Sequence, residues 1–331
     1  MRPHFLLPFL AGCAAPTGTP DLPEVAAQEV EGRGLEAQVV FYNVENLFDT
    51  KDDPRTNDDD FTPAGRLQWT ADRYATKLSH LAQAISWSGD RLPDLIGLAE
   101  VENRAVVEDL AGTSPLDGGQ YEVVHFDSPD ERGIDVALLV KRGVGEVTGE
   151  RALRVDLDGD HTRDVLYARL GTGGTTWHLY VCHWPSRREG PAVSAPKRLE
   201  AALTLREHLD EVRGPGDRVL IMGDFNDTPT DASIQKGLSA TCDPSAGLVA
   251  LMCVDQPEGH GSHNFRGDWA YLDQFITDPV TAGEVASAKA LWDQRLLFRH
   301  PKYGRSPDKT YSGTSYKGGY SDHLPIVLRL R

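Results

Sequence analysis

The chain has 331 residues, with 34 Lys and Arg against 50 Asp and Glu and a formal charge of −16. That length can bury the core of one large domain or of two ordinary ones. The composition, 40% hydrophobic and 25% charged, excludes a disordered or fibrous chain. The acidic balance argues against broad electrostatic attraction to nucleic acid, but leaves a polyanionic substrate open, because a divalent cation held among carboxylates reverses the local sign. Gly and Pro are spread throughout and no linker, heptad or repeat is visible, so a single domain acting as a monomer is expected.

At the N-terminus, Arg2 precedes the short apolar run Phe5–Leu10, which leads into Leu10-Ala11-Gly12-Cys13. This resembles a bacterial lipoprotein signal, with Cys13 as the lipidated residue. It implies export to the periplasm or cell surface and association with a membrane through Cys13. The run is far too short to span a bilayer. Residues 14–36, with Pro16, Gly18 and Pro20, read as a flexible tether, which leaves residues 37–331 for the folded domain.

The first predicted strand covers residues 37–45 and ends in Asn43 and Glu45, which strand alternation places on one side. The acidic segment Asp49–Asp60 reads as a solvated loop. A structural Ca²⁺ there is conceivable from composition, but the spacing does not match the helix-loop-helix calcium pattern. Thr70 is expected to cap a helix reaching about Trp87, with Tyr74, Leu78, Leu81 and Ile85 facing a sheet. Residues 93–100 read as a buried strand ending in Glu100, with Glu102 just beyond. Asp130–Val140 is a core strand with a polar approach carrying Arg132 and Asp135. Trp177–His183 is another, with Cys182 expected as a buried thiol on the face opposite His183. A second helix is expected over residues 195–213. Val219–Met222 is a buried strand that stops abruptly at Gly223-Asp224-Phe225-Asn226, and alternation puts Asp224 and Asn226 on one side. Trp269–Ile276 contains Asp273, and Tyr320-Ser321-Asp322-His323 precedes the apolar run Leu324–Leu328. The glycine-containing stretch 311–319 reads as a mobile loop. Cys242 and Cys253 are eleven apart and are expected to close a disulfide in an oxidising compartment. The three cysteines beyond Cys13 do not make a zinc pattern.

Repeated buried strands that end in carboxylates, amides and histidines point to one polar site where strands leave a core of alternating strands and helices. The motifs Gly223-Asp224-Phe225-Asn226 and Ser321-Asp322-His323 resemble those of the metal-dependent endonuclease/exonuclease/phosphatase superfamily. That superfamily includes deoxyribonuclease I, abasic-site endonucleases, bacterial sphingomyelinases and inositol polyphosphate 5-phosphatases. Asn43-Val44-Glu45-Asn46, Glu100, His183-Trp184 and Leu272-Asp273-Gln274 fit the same family in chain order, so the resemblance covers about residues 38–331. It implies an α/β four-layer sandwich, two mixed β-sheets packed face to face with outer helices. It also implies a catalytic group of Asp224, Asn226, His183, His323 and Asp273, and a metal set of Glu45, Glu100, Asn43 and Asp322. Hard oxygen donors of this kind suit Mg²⁺ or Mn²⁺. Arg132, Arg187, Arg188 and Lys317 are expected to meet phosphates, and Trp184 to pack on sugars or bases. The implied activity is hydrolysis of a phosphodiester, expected to be DNA, with a broad or small-molecule phosphodiesterase or phosphatase as the alternative. A catalytically inactive binding relative would be expected to lack a carboxylate or a histidine from this set, whereas every position is filled.

Overall fold

A computed structural model describes Met1, residues 37–253 and residues 259–331. The signal, Cys13 and the tether therefore lie outside the described residues. Two large sheets dominate. The first uses β1 (Gln38–Leu47), β2 (Leu95–Val101), β3 (Glu122–His125) and β4 (Asp135–Val140), together with strands Val285–Ala290 and Ile326–Leu330. Its order is Val285–Ala290, Ile326–Leu330, β1, β2, β4, β3. Only the central pair β1 and β2 is parallel. The second sheet uses β5 (Glu146–Leu153), β6 (Val165–Thr172), β7 (Thr175–His183), β8 (Arg218–Asp224), the short β9 (Ala240–Thr241) and β10 (Leu248–Ala250), and Asp273–Thr277. Its order is β5, β6, β7, β8, Asp273–Thr277, β10, β9.

Alternation along the strands explains why the sheets stack. In β7 the side chains of Trp177, Leu179 and Val181 join the core shared with the first sheet, while Tyr180 and Cys182 join a separate outer cluster. In β8, Leu220 and Met222 face inward and Val219 and Ile221 outward. The approach is closest at Gly97, where an added Cβ would lie 2.6 Å from Met222 Sδ and 3.0 Å from the Phe41 ring. Any larger residue at position 97 would wedge the layers apart.

Helices cover the outer faces. Helix α1 (Ala71–Ser86) begins at Thr70, whose side chain accepts from the Arg73 amide, and it buries Leu78, Leu81 and Ile85 as its spacing predicts. Helix α2 (Arg104–Ala111), absent from the sequence reading, is capped by Asn103 and adds Val106, Val107 and Leu110 to the same core. Helix α3 (Pro191–Val212) covers the second sheet with Ala201, Ala202, Leu205 and Leu209. It starts four residues before the expected Ala195, because Pro191 suits a first helical turn that needs no amide donor. The architecture is the four-layer α/β sandwich expected. The Cys242–Cys253 disulfide is formed, and Cys182 is a free, fully buried thiol.

The acidic loop is less solvated than expected. Asp58 is buried and accepts from the Asp53 amide, closing the loop on itself. The stretch expected to be a mobile loop is instead tied down. It forms a small hairpin, Tyr311–Ser312 with Ser315–Tyr316, and Tyr311 is buried among Phe48, Trp69 and Ile134.

Candidate active site

The site arises where inward-facing columns of both sheets run out of apolar residues. His183, Asp224 and Asp273 are direct cross-strand neighbours at the ends of β7, β8 and the Asp273–Thr277 strand. They continue the inward columns of Val181, Met222 and Phe275, and all three are buried. Asn43 reaches across from the first sheet and its Nδ2 donates to Asp224 Oδ2 at 3.1 Å. His323 Nδ1 lies 2.7 Å from Asp273 Oδ2. Its Nε2 is 3.8 Å from Asp224 Oδ2, while His183 Nε2 is 3.7 Å from the same oxygen and 3.9 Å from Glu100 Oε1. These last separations exceed hydrogen-bond length, so both imidazoles lie beside the carboxylates without bonding to them.

Four site residues adopt left-handed backbone, Glu45 (φ 50°), Asn46 (φ 59°), Glu100 (φ 66°) and Asn226 (φ 49°). Such conformations cost on the order of 1 kcal/mol each for residues with a Cβ. Three of them are held by side-chain hydrogen bonds: Glu45 N donates to Asn43 Oδ1 at 3.0 Å, Asn46 N to Glu100 Oε2 at 3.1 Å, and Asn226 N to Asp224 Oδ1 at 2.9 Å. This corrects the expectation drawn from alternation. Glu45 sits where the pairing of β1 with β2 shifts register between Asn43 and Leu47, and Asn226 lies past the end of β8, so their orientation follows from these left-handed positions rather than from a two-residue repeat. The Asn226 side chain turns to donate to the Trp184 carbonyl at 3.0 Å.

Glu45 and Asp322 line a cavity of about 390 Å³ together with Asn46, Arg132, Arg188 and Thr310. Burial, and next the Asp322 carboxylate, push the Glu45 carboxyl up to about 7, although Lys77 and the Thr310 amide work the other way. For Asp322, burial also pushes upward, but His323, His263, Lys309 and Lys77 outweigh it and hold the group below its ordinary value. Three carboxylates, Glu45, Glu100 and Asp322, share the field of one buried ammonium, Lys77. That donor set, rich in hard oxygens and in uncompensated negative charge, fits a divalent metal ion of the Mg²⁺ or Mn²⁺ kind.

The two histidines differ in charge. Burial, reinforced by Arg163, Arg132 and His323, drives His183 well below its usual range, so it is neutral. Burial opposes charge on His323 as well, yet Asp273, Asp224 and Asp322 overcome it and hold an imidazolium. Asp224 is raised to about 6, by burial first and then by Asp273, against the pull of His323.

The expected substrate contacts fare unevenly. Arg132 and Arg188 line the cavity beside Glu45 and Asp322. Arg187 is engaged elsewhere: its Nε donates to the Asn226 carbonyl at 2.5 Å and its Nη2 to Asp227 and Asp231 at 2.8 Å each. Trp184 is fully buried and packs edge-on against Phe225 at 4.6 Å, so it has no surface to offer a base. The reason is parity, since one residue past His183 the chain points to the opposite face. Lys317 is exposed and lines a different cavity. Glu102 accepts from the Asp49 amide, and Asp135 braces the 125–128 turn through Ser128 N and His125 Nε2.

Sequence reading missed three buried cations. Arg163 donates to the carbonyls of His183 (3.1 Å) and Trp184 (2.6 Å) and to Asp130 (2.9 Å), which fixes the end of β7. Arg198 pairs with Asp227 at 2.7 Å beneath Asn226. Lys77 donates to Thr310 Oγ1 at 2.5 Å and to the Tyr320 carbonyl at 2.6 Å, and Thr310 N in turn donates to Glu45 Oε2 at 2.6 Å. The one available signal was the position of Lys77 next to Leu78 on the apolar side of α1, where an unpaired lysine is rarely tolerated.

The pattern described as Endonuclease/Exonuclease/phosphatase family matches residues 38–331. Among curated proteins no match was found. Solved structures share the fold at low identity. One is an endonuclease/exonuclease/phosphatase family protein from Bacteroides thetaiotaomicron, 17% identical with TM-score 0.58, covering 89% of this chain and 94% of that one. Another is a mannosyl-6-phosphatase from the same organism, 17% identical with TM-score 0.59, covering 89% and 99%. A third is Danio rerio TDP2 complexed with single-strand DNA product, 14% identical with TM-score 0.56, covering 89% and 98%. With the family pattern spanning both sheets and every polar strand ending described above, the chain belongs to the endonuclease/exonuclease/phosphatase family.

Proposed function

We propose that the chain is a divalent-metal-dependent phosphodiesterase acting on nucleic acid, with DNA as its substrate. The observation that carries the hydrolytic reading is the convergence of neutral His183 and cationic His323 on the Asp224 carboxylate, 3.7 and 3.8 Å from its Oδ2, with Glu45, Glu100 and Asp322 sharing the field of Lys77 alongside. Glu45 and Glu100, with Asp322 and Asn43 beside them, would hold Mg²⁺ or Mn²⁺, which would supply Lewis-acid polarisation of the phosphate and offset charge on the departing oxygen. Asp224 orients the attacking water and takes its proton at Oδ2. Its raised proton affinity, about 6, suits a base working near neutrality. Asn43 and the Asn226 amide fix that carboxylate by one hydrogen bond to each oxygen. Asp273 holds the His323 ring by Nδ1 and maintains its charge, so Nε2–H is a donor to the phosphate rather than a base. His183 donates from Nε2, and both imidazoles act most strongly on the charge that develops in the transition state. Arg132 and Arg188 bind the non-bridging oxygens.

A second reading, a small-molecule phosphoesterase, is favoured by one feature: Arg66, Arg132 and Arg188 ring a cavity of only about 390 Å³. Initial rates on plasmid DNA, single-stranded DNA, RNA, sphingomyelin, inositol phosphates and bis-p-nitrophenyl phosphate, with Asp224→Asn as contamination control, separate the two. Mutant-sensitive cleavage of a lipid or an inositol phosphate with none of any nucleic acid overturns the nuclease assignment.

The motif Leu10-Ala11-Gly12-Cys13 supports a further proposal, export and membrane tethering through lipidated Cys13. Intact-mass analysis of native protein is expected to find diacylglycerol on Cys13, and a mature chain that retains Met1 refutes it.

A further inference from the structure

Two hairpins beside the active site form an aromatic and basic cleft that the hydrolytic reading does not use. The first pairs His263–Phe265 with Asp268–Ala270, the second pairs Leu297–His300 with Gly304–Pro307. The first turns at Arg266 (φ 55°) and Gly267 (φ 106°), left-handed at both central positions as a tight hairpin turn requires. That turn leaves the flanking residue Phe265 62% exposed, with the Arg266 guanidinium over its ring, 5.1 Å from the centre. Phe298 on the second hairpin is 48% exposed, and the His300 ring stacks on Tyr303 at 4.7 Å. Between the hairpins lies a cavity of about 660 Å³ whose rim carries Lys309 and Lys317.

The charge of this region is opposite to that of the molecule. Residues 297–317 hold five Lys and Arg against Asp308 alone, in a chain of net charge −16. The cleft also leads to the reacting groups. His263, the first residue of the first hairpin, bridges to His323, with ring centres 4.7 Å apart. The segment Asp308-Lys309-Thr310 passes from the cavity wall to the amide that donates to Glu45.

We propose that this cleft is a docking platform for the single-stranded segment of a nucleic acid flanking the scissile phosphate, with bases stacked on Phe265 and Phe298 and backbone phosphates on Arg266, Lys309 and Lys317. The proposal rests on the phosphodiesterase reading and adds where the flanking strand lies and in what form. Exposed aromatic faces interleaved with cations are what unpaired bases and their phosphates need, whereas a duplex keeps its base faces stacked inside. A membrane is the weaker match. The tip of the second hairpin is Pro301-Lys302-Tyr303, not an apolar point, and the two phenylalanines line a concave wall rather than a protruding end.

The test uses the full chain with Mg²⁺ and a fluorescein-labelled oligothymidylate whose phosphorothioate linkages resist cleavage, read by anisotropy. Single strand is expected to bind more tightly than the same length of duplex. The double variant Phe265→Ala/Phe298→Ala is expected to raise Kd at least about 10-fold, since stacking on each ring is a sizeable share of binding. Arg266→Gln/Lys317→Gln is expected to flatten the slope of log K against log salt by about 1.4, at about 0.7 per phosphate contact on a single strand. Both pairs are exposed, and circular dichroism checks that the fold is retained. Binding that ignores both variants overturns the platform, as does a preference for duplex. Phe-dependent capture by phosphatidylglycerol vesicles without oligonucleotide binding also overturns it and assigns the surface to lipid. Turnover of bis-p-nitrophenyl phosphate by the wild-type chain is measured separately: its absence sinks the phosphodiesterase reading, whereas turnover with variant-insensitive oligonucleotide binding sinks only the platform.

Discussion

Lys77→Met tests how the acidic pocket is held together when no metal ion is bound. The Lys77 ammonium is 1% exposed and makes two hydrogen bonds, to Thr310 Oγ1 and to the Tyr320 carbonyl. It also offsets the field of Glu45, Asp322 and Glu100. Methionine keeps the length and apolar stem but removes the charge and both donors. A hydrogen bond from a charged donor contributes about 1.5–3 kcal/mol, and Lys77 makes two, while the carboxylates act on it only through their field. The two bonds share one ammonium, so the top of their summed range is not reached. A loss of about 3–5 kcal/mol is therefore expected in excess chelator, a fall in Tm of about 6–10 °C for a domain of this size. Added Mg²⁺ neutralises the same carboxylates, so titrating it is expected to raise the Tm of the variant more than that of the wild type. Differential scanning calorimetry with and without chelator reads both quantities. A variant as stable as wild type in chelator, or one with the same Mg²⁺ response, would show that Lys77 does not carry the charge balance of the pocket.

Excess chelator is expected to abolish hydrolysis of bis-p-nitrophenyl phosphate, with Mg²⁺ or Mn²⁺ restoring it; full turnover by metal-free protein would rule out the metal set. His323→Ala and Asp224→Asn are each expected to lower kcat by more than about 10²-fold in a folded protein, and near-normal kcat in either would mean the roles are misassigned. Reducing Cys242–Cys253, which closes an 11-residue separation, is expected to cost about 3 kcal/mol on chain-entropy grounds, read as a shift in urea midpoint; no shift would mean the reduced chain keeps those ends together. His208 is buried against Tyr180, with its Nδ1 3.0 Å from the Tyr180 hydroxyl, and burial, then Arg151, holds its proton affinity below the usual value. The unfolded chain takes up a proton at His208 first, near pH 6.5, so the stability associated with neutral His208 is present above that pH and lost as pH falls. His208→Gln is expected to reduce the loss of urea midpoint between about pH 7 and 5; an unchanged profile would clear His208 of the effect.

Much of the sandwich was legible because both sheets are built from buried strands whose apolar residues need no partner beyond one another. Val219–Met222 and Leu95–Ala99 announce themselves by composition alone, and each ends where a charge must leave the core. The same logic put Asp224 and His183 at strand ends, while Asp273 and the roles of all three came from the family resemblance. Inward parity along β7, β8 and the Asp273–Thr277 strand carries the column from Val181, Met222 and Phe275 onto these three residues. Parity also condemns Trp184, and there the sequence reading stopped one residue short: an aromatic next to a site histidine sits on the other face, where it packs on Phe225. What local pattern could not carry were the left-handed turns at Glu45, Glu100 and Asn226 and the buried cations beneath them. Both depend on contacts between distant segments. Lys77 reaches Thr310 across 233 positions and Arg163 reaches the carbonyls of His183 and Trp184 on the neighbouring strand. No periodicity encodes such contacts, yet they decide the chemistry. Asn43 holds one oxygen of Asp224 and the Asn226 amide the other. The Asn226 turn is itself held by Arg187 on its carbonyl and by its own side chain on the Trp184 carbonyl, which Arg163 grips from below. The buried arginines that a substrate-contact reading would discount therefore set the aim of the catalytic carboxylate, and Arg187 belongs with them rather than on the phosphate track.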